Sequence, residues 1–158
     1  MQLIDGPFGL ATVGNVLVIV FREPPTDARL ERILTAFSNL GAQFPTGVGL
    51  AWVIDPHDKG LRPSDKVRDA MVAAMRRNEN NVKAGFIAIL REGLSGAAIR
   101  AVTNGIILAS RQTTPVKVVG TIEEGVPWLV TKLRELGAPP PLEATLRTVA
   151  SSIRARLV

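Results

Sequence analysis

The chain has 158 residues, 46% of them hydrophobic and 21% charged, with a net charge of +5. That length supports one domain with a real hydrophobic core. The absence of cysteine excludes disulfides, thiol chemistry and cysteine-ligated zinc, and a single histidine excludes a multi-histidine metal site within the chain.

Aromatic residues make up 4% and tyrosine is absent, so the core is expected to be built from Val, Ile, Leu and Ala. The opening MQLIDGPFGL has neither a basic region nor a long apolar stretch, so no signal peptide is expected. No apolar run reaches the roughly 18 residues of a membrane span. These features together give a cytoplasmic expectation.

Phe8–Val13 and Val16–Phe21 are β-rich runs around Gly14-Asn15, the pattern of a hairpin. Arg22-Glu23-Pro24-Pro25 stops the second strand, and Thr26 or Asp27 offers a helix N-cap. Leu30, Ile33, Leu34, Phe37 and Leu40 recur at helical spacing, with Gly41 placed to end the helix. Val48–Asp55 is almost continuously apolar, as strands covered on both faces are. Pro63-Ser64-Asp65 opens a helix whose stripe is Val67, Ala70, Met71, Ala74 and Met75.

Ala84–Leu90 is a further apolar strand ending at the polar turn Arg91-Glu92-Gly93. A helix over Ser95–Arg111 would bury Ile99, Val102, Ile106, Ile107 and Ala109. Val116–Val119 forms the last strand. Thr121 with Glu124 has capping-box spacing for a helix that buries Val126, Trp128, Leu129 and Leu133 and ends at Gly137. Trp52 and Trp128 both sit in apolar runs and read as core.

The pattern predicts an α/β fold. It has a mostly parallel sheet of about five strands, one antiparallel strand from the opening hairpin, and helices packed on it. Residues 1–137 make this unit. The spacer Ala138-Pro139-Pro140-Pro141 leads to a last amphipathic helix, Leu142–Leu157, with Leu142, Leu146, Val149, Ile153 and Leu157 on one face. That stripe packs either on its own domain or on a second copy of the chain, making a homodimer.

The candidate site follows the strand Val48–Asp55. Asp55, His57 and Asp58 place carboxylates beside an imidazole, which suits a general base. No nucleophile or oxyanion motif accompanies them, so the segment reads as a binding loop, with no catalytic residue and no metal. Ser64 is a good N-cap, and a phosphate there would be favoured by the helix dipole. Arg22, Lys59, Arg62 and Arg91 fall near the strands' C-terminal ends, where they would form an anion-binding rim. No glycine-rich phosphate loop is present and no cofactor is expected. Basic residues are scattered without an aromatic platform, which argues against nucleic acid.

Three stretches carry a family resemblance: Gly9–Phe21, Val48–Ser64 and Val116–Leu129, the last reading VKVVGTIEEGVPWL. Over Gly9 to Leu136 the chain resembles the STAS-like fold, named for sulfate transporters and anti-sigma factor antagonists, and above all its bacterial offshoot. In the antagonists, a strand ending in Asp is followed about nine residues later by Asp-Ser-Ser-Gly. One serine of that motif is phosphorylated by a kinase that is also the binding partner. Here Ser64 lies nine residues after Asp55, and the chain reads Pro63-Ser64-Asp65-Lys66. Asp65 falls on the usual phosphoserine and Ser64 on its neighbour.

The resemblance implies a non-enzymatic regulatory module. It would dock a protein partner, such as a kinase or regulatory protein, through Asp55, His57, Asp58, Arg62, Ser64 and Asp65. The alternative on the same fold is a carrier of a small molecule, lipid or nucleotide, which needs a concave pocket.

Overall fold

The computed structural model describes residues 2–56, 80–91, 93–110 and 113–158, and between them Asp65, Asp69 and Ala73. The hairpin forms as its sequence requires. β2 (Phe8–Val13) pairs antiparallel with β3 (Val16–Phe21) in full register, from Phe8 opposite Phe21 to Val13 opposite Val16. Gly14 supplies the left-handed backbone of the turn, with φ 55°. Asn15 is buried, and its side-chain amide donates to the Gly47 carbonyl at 3.0 Å, tying the turn to the entry of the next strand.

A strand that the composition did not announce precedes the hairpin. β1 (Gln2–Asp5) pairs antiparallel with β2, and β4 (Val48–Ile54), β5 (Val82–Ile89) and β6 (Val116–Val119) continue from β3 in parallel. The sheet thus has six strands in the order β1-β2-β3-β4-β5-β6. Space follows sequence, because each connection steps to the adjacent strand.

The helices of right-handed β-α-β steps taken in one direction fall on one face of the sheet. α1 (Asp27–Gln43) and α2 (Gly93–Ser110) lie there, with Ile33, Phe37 and Leu40 against Leu17, Ile19, Ile54 and Ile87, and with Ile99 and Ile107 packed on the same cluster. The opposite face is covered by α3 (Ile122–Glu135) and α4 (Glu143–Arg156), where Leu129, Leu133, Leu146 and Ile153 meet Val16, Val18, Val20, Val53 and Phe86. Cover on both faces is why β3, β4 and β5 read as continuous apolar runs.

Several boundaries differ from the expectation for physical reasons. α1 is capped by Thr26, whose hydroxyl accepts from the Arg29 amide at 3.3 Å. It runs through Gly41 to Gln43 and stops at Phe44, which precedes Pro45. A residue before proline is kept out of the α region, so Pro45, and not Gly41, ends the helix. α2 turns Ile99, Thr103 and Ile107 inward and leaves Val102 exposed. Thr103 is tolerated in that stripe because its hydroxyl donates to the Ile99 carbonyl at 2.8 Å. Trp52 is partly exposed and meets Phe21 edge-on, with ring centroids 6.4 Å apart, while Trp128 is partly buried against the α3–α4 side.

The apolar stripe of α4 is used within the chain. Leu146, Ala150, Ile153 and Leu157 are buried against β2, β3 and α3, while Leu142 is exposed just ahead of the helix. Burying a side chain of the Leu or Ile kind contributes about 1.5–3 kcal/mol. α4 approaches β2 closely because Gly9 has no side chain, and a Cβ there would stand 2.2 Å from the Ile153 Cγ2. Gly9→Ala is therefore expected to lower stability by about 1–3 kcal/mol through overpacking. Gly105→Ala, in open space on α2, is expected to raise it by about 0.5–1 kcal/mol. Urea midpoints of the two variants check the pair, and a neutral Gly9→Ala contradicts the close approach.

Candidate functional site

β3, β4 and β5 end side by side, and their last ladder bonds run from the Asp55 amide to the Phe21 carbonyl and from the Leu90 amide to the Ile54 carbonyl. The chain leaves the sheet there through Arg22, Asp55 and Arg91. Arg22 and Asp55 each directly follow the last buried residue of their strand, and Arg91 follows β5 one residue later, after the partly buried Leu90. In doubly wound sheets a ligand crevice opens at this end where the strand order reverses. Here the strand order never reverses, so the sheet has no such switch point, and among the described residues the rim is a junction between strand exits and helix ends.

The rim charges are engaged with one another. Asp55 Oδ2 accepts from Arg154 Nε at 2.8 Å and lies 3.7 Å from Arg22 Nε. Arg22 and Asp55 are mostly buried, with side-chain exposures of 16% and 17%, while Arg154 is 47% exposed. The Arg22 guanidinium also donates from Nη1 to the Leu157 carbonyl and from Nη2 to the Arg154 carbonyl, the latter at 3.2 Å. Both carbonyls lie at the end of α4, where unpaired C=O groups carry the negative pole of the helix dipole. Arg22 is thus a C-terminal cap supplied from a distant strand. The Val158 amide donates to the Gly6 carbonyl at 3.4 Å and completes the attachment of the tail.

Arg91 donates to the Pro56 carbonyl at 3.5 Å, holding the exits of β4 and β5 together. Asp65 is helical and exposed, and Asp69, four residues on, is helical and exposed as well. His57, Asp58, Lys59, Arg62 and Ser64 lie outside the described residues, as does most of the helix expected after Ser64. The structure therefore brings Arg22 and Asp55 together and sets Arg91 beside them. Among the described residues no group of three or more His, Asp or Glu side chains is arranged to hold a metal ion. No helix among them is long and apolar enough to cross a membrane.

Arg154 was not among the expected site residues. Its sequence signal is slight, an arginine off the apolar stripe in the last turn of a helix, 99 residues from Asp55. The arrangement can hold α4 against the sheet. With Arg22 committed to carbonyls and Asp55, the anion-binding capacity expected of Arg22 is already engaged.

Compared with known proteins, the chain matches no family model, no curated protein and no solved structure.

The cap role of Arg22 predicts a ranking. Arg22→Ala is expected to cost about 2 kcal/mol, since it removes charge-assisted bonds to two carbonyls and an ion pair. Arg154→Ala, half exposed, is expected to cost about 0.5–1 kcal/mol. Chemical denaturation of both variants checks the order, and an Arg22→Ala loss smaller than that of Arg154→Ala contradicts it.

Proposed function

We propose that this chain is a non-enzymatic protein-docking module of STAS-like type. Its binding surface is the strand-to-helix rim together with the first turns of the helices that leave it. The observation that carries the reading is Leu94. It lies in the first turn of α2, immediately past the rim, and is 93% exposed. It opens an outward face on which Ala97, Ala101, Val102 and Leu108 are also exposed. None of the described exposed positions from Leu94 to Leu108 is charged, although the chain is 21% charged. Large apolar side chains exposed along one helix face, as Leu94, Val102 and Leu108 are, mark a protein contact.

Two further features support the reading. Asp65 is exposed and helical. In the STAS-like resemblance this is the position of the regulated serine, where an aspartate supplies a permanent negative charge. Arg22 and Asp55 at the rim pair with each other and Arg91 is bonded to the Pro56 carbonyl, which suits a surface that presents shape and apolar contact more than a site that grips a small anion. A kinase or another regulatory protein is the kind of partner that the resemblance implies.

Affinity capture with the unmodified chain and with Leu94→Asp, Asp65→Asn and Arg62→Ala, followed by titration of the purified partner, tests the reading. The expected outcome is a protein whose binding weakens at least tenfold in Leu94→Asp, with unchanged thermal unfolding. Capture of the same proteins by all variants contradicts it. So does a persistent small-molecule adduct in native mass spectrometry, which supports a carrier instead.

A further inference from the structure

Among the described residues, β1 is the outermost strand of the sheet and no strand pairs with its outer edge. Leu3 points to the same sheet face as Leu10, its partner on β2. α1 lies over β2 and β3 on that face and meets β1 at Asp5, through the Arg29 and Arg32 side chains. This leaves a groove of about 490 Å³ along the sheet edge. Leu3 and Leu10 form its floor, and Ala28, Arg32, Thr35 and Ala36 of α1 form its wall. The ion pair of Arg32 with Asp5, at 2.8 Å, joins the wall to the strand.

We infer that this groove is a second docking surface, separate from the rim, and that its occupant is an extended segment of a partner protein added to the sheet as a strand beside β1. The unpaired edge selects for this occupant. It offers backbone N–H and C=O groups in alternation, which an extended chain satisfies and a helix or an acyl chain does not. The dimensions agree. Four residues of β1 span about 13 Å, and the wall from Ala28 to Ala36 runs about 12 Å along the helix. A strand of that length places two side chains, at i and i+2, on the face that carries Leu3. Their surroundings are the apolar floor, so the segment carries large apolar residues at those two positions and is free at the position between them. The edge has no lysine or proline, devices that commonly block such pairing.

The test uses the 158-residue chain and a display library of random twelve-residue peptides. Peptides with alternating apolar residues are expected to be enriched. Ala28→Trp and Thr35→Trp fill the groove from exposed helix positions, so the fold is retained, and each is expected to weaken the selected peptides at least tenfold. Leu94→Asp, at the rim, is expected to leave peptide binding unchanged. Methylating the peptide's backbone nitrogens one at a time is expected to abolish binding at every second residue, as a strand pairing on one edge requires. The inference is overturned if no peptide is enriched or if the tryptophan variants bind as the unmodified chain does. Methylation effects that do not alternate overturn it too. So does sedimentation showing a dimer that Thr35→Trp dissociates, because the occupant is then a second copy.

Discussion

The attachment of α4 to the sheet is the interaction on which the rest of the structure depends. A six-stranded sheet that steps in one direction puts α1 and α2 on a single face. The other face must be covered by whatever follows β6. α3 covers β4, β5 and β6, and the half made by β2 and β3 is left to α4. Without α4, Val16, Val18 and Val20 would lie against water. The chain secures the helix twice. Gly9 lets Ile153 reach the sheet, and Arg22, held by Asp55, caps the last turn.

The same arrangement decides where anything else can bind. Among the described residues, helices cover both faces of the sheet except along β1, and the unreversed strand order offers no switch-point crevice. Arg22, one of the four basic residues expected to form an anion-binding rim, instead joins Asp55 and Arg154 in holding α4 to the rim. Three surfaces remain in the described structure. They are the rim with its exposed helix starts, the uncharged outer face of α2, and the groove along β1.

Much of the fold was legible because local chemistry and tertiary role agree. Gly14-Asn15 set the hairpin, the continuous apolar runs gave β3 to β5, and Thr26 and Thr121 are the caps that their positions suggested. β1 was not legible because QLID offers only two adjacent apolar residues, one for each face of an edge strand. The end of α1 was misplaced because Gly41 looked like a stop while Pro45 acted as one. Val102 is three residues from Ile99 and so reads as core by helical spacing, but the helix turns Thr103 inward in its place and leaves Val102 exposed. At the site, a strand ending in Asp55 showed where the rim lies. Its partners Arg22 and Arg154 are joined to it only by the folded chain, and no local pattern marks a contact across 99 residues.

Hydrogen exchange followed residue by residue tests most directly whether α4 is part of the fold and not a detachable arm. If it is integral, the amides of Leu146 to Ile153 exchange only through global unfolding. Their opening free energy then equals that of Val18 and Val53 and shifts with it across urea concentration. Exchange of those α4 amides at a lower free energy than the sheet, and independent of urea, would contradict this.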